Sequence, residues 1–293
     1  MKPILFIAIL LFNINFSFAQ SLKIELNQKI GYGPFQPGAT TVLFHPAHNH
    51  PLFNTFYKLE FNNISKDLIE VKKGIIPFDF LQFLYQNLCN TENFKLYEDF
   101  KKQRSYTIAD EELSTENIDC FVKIIYAKNS EHTAICIIDA NQNGNFNDDI
   151  RLNIVNIQSL EELKTINHKI IETAYQYSNG KNIINNKLPV IVFTHNNALK
   201  YSIPTYMVGQ LTNEEKIYVS HEFRFPDYWV SNININADNT FIKKRDTFVW
   251  NNKFFKNNGV DIRSNTLDLT EELTGDHKFT LVNLAQPDIK PIK

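Results

Sequence analysis

Residues 133–155 read TAICIIDANQNGNFNDDIRLNIV, and this stretch decides the fold class and the best candidate site of the chain. Thr133–Ile138 and Ile150–Val155 are rich in β-branched residues, which favour strands. Between them, the loop Asp139–Asp149 places oxygen-bearing side chains at alternate positions before a glycine. The stretch therefore predicts two strands joined by a loop that presents oxygen atoms.

The order of residues in this loop is typical of calcium loops. In these loops, positions 1, 3 and 5 supply side-chain oxygens, position 6 is a turn glycine and position 7 supplies a backbone carbonyl. Phe146 is expected to point inward and anchor the loop to the core. Asn replaces Asp at the third and fifth positions, and Ile150 stands where a bidentate glutamate belongs. The predicted ligands are Asp139, Asn141, Asn143, Asn145 (through its carbonyl), Asp148 and Asp149.

A turn that binds no ion is the alternative, because Asn, Asp and Gly favour turns in any hairpin. The alternation of oxygen side chains favours ion binding, since a simple turn does not require it. Because the flanking segments are predicted strands, we expect a structural calcium site rather than a helix-flanked sensor.

The N-terminus has the pattern of a secretory signal peptide over residues 1–19. Lys2 supplies a positive start, residues 4–12 are apolar, and Ser17-Phe18-Ala19 forms a small-x-small cleavage site before Gln20. The apolar run is short for a membrane span, so no stable span is expected after cleavage. An uncleaved N-terminal anchor is the alternative. The expected location is therefore periplasmic or secreted, where calcium can fill weak sites.

Helices are predicted in the first half of the chain. Residues 78–88 and 93–102 carry apolar side chains at three- and four-residue spacing, which indicates a helical insertion around residues 78–103. Ser159-Leu-Glu-Glu162 resembles a capping box, so a helical turn is expected there. We place a boundary near residues 157–165, between an α+β region (20–160) and an antiparallel β region (161–293).

The remaining pattern predicts strands. Asn-Gly in Ser178-Asn-Gly180 is a strong hairpin signal, and short strands at regular spacing indicate a sandwich or barrel. We therefore predict a mainly β (α+β) fold, with antiparallel sheets in a β-sandwich or an open barrel. The predicted strands are 22–26, 41–44, 53–61, 120–126, 132–138, 150–155, 169–177, 182–184, 190–194, 201–211, 216–223, 229–235, 240–249, 266–269 and 278–284.

The chain has three cysteines, Cys89, Cys120 and Cys136, and no Cys-x-x-Cys motif, so no dithiol redox centre can be assigned. Cys120 and Cys136 lie on consecutive predicted strands and could form a disulfide, although the turn near 128–129 does not place them opposite each other. Buried free thiols are the favoured interpretation for all three, because cysteine packs well as a small apolar residue.

A second metal candidate is the run containing His45, His48 and His50. Two of these imidazoles could share a transition metal. A surface loop is favoured, because no carboxylate or cysteine lies close by and structural zinc requires four ligands. The other histidines are single and are expected to be structural: His132, His168, His195, His221 and His277.

No catalytic motif supports an enzyme. The sequence has no Gly-x-Ser-x-Gly elbow and no His-Glu-x-x-His pattern. The aromatic run Phe223–Trp229 could line a carbohydrate or peptide groove, although core packing explains it better. A net charge of −2 argues against nucleic acid as a partner and against an anionic membrane surface.

Three segments together resemble the N-terminal accessory region of exported TlpA-like thioredoxin-family proteins of the Bacteroidetes type. They are residues 78–88, the loop segment 138–149 and the closing hairpins in 248–269. The chemistry of that family resides in a C-terminal thioredoxin domain with Cys-x-x-Cys at a helix N-terminus. The resemblance therefore implies the accessory region without the thioredoxin domain, and no redox residue carries over.

These patterns lead to one main functional hypothesis and two alternatives. The main hypothesis is an exported, non-enzymatic cell-envelope accessory or binding module with a structural calcium loop. Its partner would be an envelope protein or a separate thioredoxin-like protein. The first alternative is a truncated or divergent TlpA-like thiol-disulfide oxidoreductase that lacks its redox domain. A carbohydrate-binding or hydrolytic role is the second.

Overall fold

The structure, a computed structural model, describes most of the chain. Within the described residues the fold is mainly β, with antiparallel sheets and two helices, which confirms the predicted fold class. The signal peptide, His48, His50, the aromatic run 223–229 and the strand 278–284 lie outside the described residues. The residues that the structure describes are 21–45, 59–103, 109–165, 169–178, 180–220, 233–237, 241–261 and 265–272.

The described residues form sixteen strands and two α-helices, which are numbered in chain order. The helices are α1 (Phe80–Leu88) and α2 (Phe94–Gln103). The strands are β1 (Ser21–Ile30), β2 (Thr40–Thr41), β3 (Leu43–Phe44), β4 (Ile69–Pro77), β5 (Phe121–Lys128), β6 (Ala134–Ile138), β7 (Arg151–Asn153), β8 (Ile171–Ser178), β9 (Ile183–His195), β10 (Ala198–Ser202), β11 (Thr205–Gln210), β12 (Lys216–Ser220), β13 (Ile233–Ile235), β14 (Thr247–Trp250), β15 (Lys253–Asp261) and β16 (Thr266–Glu272).

A five-stranded sheet in the order β3-β4-β5-β6-β7 carries the loop between β6 and β7. Both faces of β5 are buried, which explains its nearly continuous apolar sequence. Val122 and Ile124 face a core shared with a second sheet, whereas Ile125 and Ala127 pack into a separate cluster with Phe146. The sheet is therefore the middle layer of this part of the molecule.

The two helices cover part of the five-stranded sheet, which confirms the predicted helical insertion. Helix α1 begins after Asp79, whose side chain accepts a hydrogen bond from the Gln82 backbone at 2.8 Å. Its apolar face packs with Tyr97 of α2 and Phe121 of β5 in one buried cluster. No described helix has the length and apolar character needed to cross a membrane.

A four-stranded sheet in the order β2-β10-β9-β8 packs against the five-stranded sheet. Strands β8 and β9 form the predicted hairpin, with Gly180 in the turn at φ 80°. Tyr175 and Val190 of this sheet share a core cluster with Val122 and Cys136 of the other sheet. These two sheets form a β-sandwich.

A curled half-barrel is formed by a third, seven-stranded sheet in the order β13-β12-β11-β1-β16-β15-β14. Strand β1 pairs with β16 over Ser21–Glu25 and with β11 over Leu26–Ile30. Strand β1, from the region before the boundary predicted near 157–165, thus pairs with two strands from the region after it. The division into 20–160 and 161–293 stays a prediction.

Several strand predictions differ from the structure. Strand β4 was not predicted, the described residues 59–61 of the predicted strand 53–61 form no strand, and the predicted strand 240–249 begins only at 247, as β14. The predicted strands 182–184 and 190–194 are parts of one strand, β9.

The predicted strand 201–211 is divided between β10 and β11, which belong to different sheets. The division occurs at Ile203-Pro204, where proline supplies no backbone N–H for a ladder. Strand β15 was not predicted as a strand of its own; it follows a turn in which Asn251 and Asn252 have φ of 50° and 61°.

The cysteines are free thiols in the structure. Cys120 packs with the helices and Cys136 packs between the two sheets of the sandwich, so the two side chains lie in different clusters. Burial raises the pKa of both thiols well above the usual value. This placement agrees with the favoured interpretation of buried free thiols for Cys120 and Cys136, whereas Cys89 is only partly buried.

Gly209 provides a test of the half-barrel. A Cβ at this position would lie 2.6 Å from Ile24 Cγ2 and 3.0 Å from the Glu25 carbonyl oxygen of β1. We predict that Gly209→Ala lowers the free energy of unfolding by about 1–3 kcal/mol, because β11 must move away from β1. Urea denaturation measures the change.

Gly38→Ala is the matched control, because nothing lies within 4 Å of the added methyl group. It should leave the urea midpoint close to that of the unchanged protein. Equal midpoints for both variants would contradict the pairing of β1 with β11.

Candidate metal centre

The loop between β6 and β7 is wound by hydrogen bonds from side chains to backbone amides. Asn141 Oδ1 accepts the Asn143 amide at 3.1 Å, and Asn143 Oδ1 accepts the Asn145 amide at 2.8 Å. Asn145 Oδ1 continues the series with the amide of Asn147 at 3.3 Å. The alternating side-chain oxygens singled out in the sequence therefore share one arrangement: each accepts a hydrogen bond from the backbone amide two residues later, which bends the chain into successive turns.

Asp139, the first predicted ligand, is fully buried. Its Oδ2 accepts the Gly144 amide at 3.0 Å and lies 3.7 Å from Lys123 Nζ. Gly144 has φ of 75°, a conformation that favours glycine. The buried Oδ1 has no hydrogen-bond partner among the described residues. A buried carboxylate oxygen of this kind is costly unless a charge or donor meets it.

Asp149 presents a second oxygen of the same kind. Its Oδ1 accepts the Ala140 amide at 3.2 Å, whereas its buried Oδ2 has no partner in the described part of the chain. Burial raises the pKa of Asp149 to about 6, and the charges of Asp139 and Asp148 add to the effect. Asp148 is exposed and its Oδ2 accepts from Asn143 Nδ2 at 2.7 Å.

The donor set fits a hard divalent cation. Carboxylate, amide and carbonyl oxygens are the ligands that calcium prefers, in flexible geometry. Three carboxylates and one nearby lysine give the loop a net charge of about −2, which a divalent ion would balance. No cluster of three or more His, Cys, Asp or Glu suited to a metal is found among the described residues. The candidate site therefore depends on asparagine and backbone oxygens as well as on acids.

Phe146 anchors the loop to the core, as the sequence predicts. It is 3% exposed and its ring stacks on Phe61 with centroids 5.8 Å apart. Nearby, Asn63 Nδ2 donates to Asn145 Oδ1 at 3.0 Å. These contacts hold the loop against segment 59–68, which packs on the outer face of the five-stranded sheet.

The loop also holds the second sheet of the sandwich. The Ala174 amide of β8 donates to the Ala140 carbonyl at 2.9 Å. Gln142 Nε2 donates to the Ala174 carbonyl at 3.1 Å and to the Phe121 carbonyl at 2.5 Å. Gln142 and Lys123 were not singled out in the sequence, because their roles depend on contacts with distant strands.

The remaining histidine candidates show no shared site among the described residues. His45 follows β3, and its backbone amide donates to the Lys73 carbonyl at 2.7 Å. His195 Nδ1 lies 3.1 Å from the Ile157 carbonyl oxygen at the end of β9. The other two members of the predicted histidine group lie outside the described residues, so that metal candidate stays a prediction.

Comparisons with protein-family models, curated proteins and solved structures found no match for this chain. The resemblance to the accessory region of TlpA-like proteins therefore stays a prediction.

Lys123 offers a test of the electrostatics of the loop. Its ammonium group lies 3.7 Å from Asp139 Oδ2 and repels any cation bound beside that carboxylate. We predict that Lys123→Met tightens calcium binding by roughly tenfold, because removing one positive charge deepens the local negative potential. Isothermal titration with calcium gives the dissociation constants.

Lys95→Met removes the same charge from the exposed face of α2, where Lys95 pairs with Asp99. This control should bind calcium as the unchanged protein does. If Lys123→Met binds calcium equally or more weakly, the ion does not lie beside Asp139.

Proposed function

We propose that this chain is an exported, calcium-stabilised binding module of the cell envelope. The observation that carries the proposal is the pair of buried carboxylate oxygens, Asp139 Oδ1 and Asp149 Oδ2, which have no partners among the described residues. Both lie in the loop that holds β8 through Ala140. A bound ion would act where the two sheets of the sandwich meet.

The mechanism is a stabilisation of the native state. The folded chain collects oxygens from both ends of the loop, Asp139 and Asp149, whereas the unfolded chain has no such arrangement. An ion that binds only the native form adds about 2.7 kcal/mol when its concentration is a hundred times the dissociation constant. The ion would also remove the repulsion between these acids, which contributes to the raised pKa of Asp149.

The proposed export is consistent with the proposed ion, because millimolar calcium outside the cytoplasm can fill a site of modest affinity. The feature that favours export is the signal-peptide pattern of residues 1–19. As partner we propose an envelope protein or a separate thioredoxin-like protein, which follows from the resemblance to TlpA-like accessory regions. In this role the chain supplies a rigid binding surface, and no chemical step is assigned to it.

Thermal unfolding in calcium and in EGTA tests the proposal. Saturating calcium should raise the midpoint by roughly 5–10 °C, since each kcal/mol shifts the midpoint of a chain of this size by a few degrees. Asp139→Asn should abolish the shift, because it removes the buried negative charge at the first ligand position.

Asp99→Asn is the control, because Asp99 is an exposed acid on α2 whose described ion pair is with Lys95. It should keep the full calcium shift. Identical midpoints in calcium and EGTA for the unchanged protein would overturn the proposal.

A further inference from the structure

Two adjoining grooves lie beside the loop, one of about 470 Å³ and one of about 520 Å³. Asn141, Ala174 and Lys187 line both of them, so the grooves meet along the edge of the β8–β9 hairpin. Asp148 and Asp149 form part of the wall of the first groove. The proposed calcium ligands therefore border a concave surface large enough for a small ligand.

The second groove is rich in amide side chains. Gln142, Gln176, Asn185 and Asn186 all line it. Gln176 Nε2 donates to Asn185 Oδ1 at 2.9 Å, and Asn186 Nδ2 donates to the hydroxyl of Tyr175 at 3.1 Å. These bonds fix the amide planes, while Asn185 and Asn186 remain exposed. Each amide group can both donate and accept hydrogen bonds, as the hydroxyl groups of a sugar do.

The grooves are lined by four acids, Asp119, Asp148, Asp149 and Glu172, and by one cation, Lys187. Lys187 Nζ pairs with Glu172 at 2.8 Å, so one cation and one anion of the lining neutralise each other. Asp119, the acid that lines the second groove, is exposed, although desolvation of its carboxyl group raises its pKa. With a divalent ion in the loop, the lining would keep about one net negative charge, which favours an uncharged polar ligand over an anionic one.

The edge of β8 disfavours an extended peptide as the ligand. A peptide that adds to a sheet needs free backbone groups along the edge strand. Here the Ala174 amide donates to the Ala140 carbonyl at 2.9 Å, and the Gln176 amide donates to the Asp119 carbonyl at 2.7 Å. Recognition at this surface must therefore use the side chains.

We propose that the paired grooves bind a neutral oligosaccharide, whose hydroxyl groups exchange hydrogen bonds with Gln176, Asn185 and Asn186. The inference rests on the proposed calcium site through Asn141, which is a predicted calcium ligand and also lines both grooves. An ion held by the Asn141 oxygen fixes this wall and leaves the amide nitrogen to donate to the sugar. Calcium thereby organises the saccharide site.

The test is a binding measurement with a panel of neutral hexasaccharides: cellohexaose, maltohexaose, laminarihexaose, mannohexaose and xylohexaose. In calcium, at least one should bind the full chain, and Asn185→Ala should weaken that binding by roughly tenfold through loss of its hydrogen bonds. Asn213→Ala, an exposed asparagine between β11 and β12, should leave binding unchanged. Matching circular dichroism spectra show that both variants are folded.

The outcomes separate this inference from the calcium site. A calcium shift in the unfolding midpoint without binding of any hexasaccharide overturns the inference and leaves the calcium site standing. Binding that Asn185→Ala and Asn213→Ala affect equally also overturns it. Binding that is lost in EGTA and weakened only by Asn185→Ala supports it. If binding is equal in EGTA and calcium, the role given to calcium at this site is overturned.

Discussion

The hydrogen bond from the Ala174 amide to the Ala140 carbonyl joins the two sheets of the sandwich at their edge. A second bond runs from the Gln176 amide to the Asp119 carbonyl, and these two bonds together are called the seam. Both acceptors lie in loops at the ends of strands in the five-stranded sheet, so the position of β8 depends on the shape of those loops. The core shared by the two sheets and the two grooves lie beside these bonds.

The loop that supplies Ala140 carries a concentrated negative charge. Asp139 is fully buried, and both it and Asp149 present a buried oxygen without a partner among the described residues. Lys123 offsets part of this charge from 3.7 Å away. Because an uncompensated buried carboxylate is costly, a divalent ion that meets both oxygens would stabilise the loop and, through Ala140, the seam.

Local features of the fold were predictable, whereas long-range pairing was not. The helices, the Asn-Gly hairpin and the strands beside the loop each follow from spacing or turn chemistry within a few residues. The capping box at Ser159 is present as well. By contrast, the pairing of β1 with β11 and β16 joins segments far apart in sequence, and many strands of similar composition could have competed for it. For the site, alternation identified Asp139 and its neighbours, but nothing local indicated that Gln142 or Lys123 would reach them.

The proposed calcium ion would fix the seam between the two sheets. The hydrogen-exchange rate of the Ala174 amide, monitored by NMR under conditions in which exchange occurs through local opening, reports how often this hydrogen bond opens. We expect calcium to slow exchange at Ala174 and to leave the exchange rate of Leu267, in the core of the half-barrel sheet, unchanged. Equal exchange rates for Ala174 in calcium and in EGTA would contradict the account.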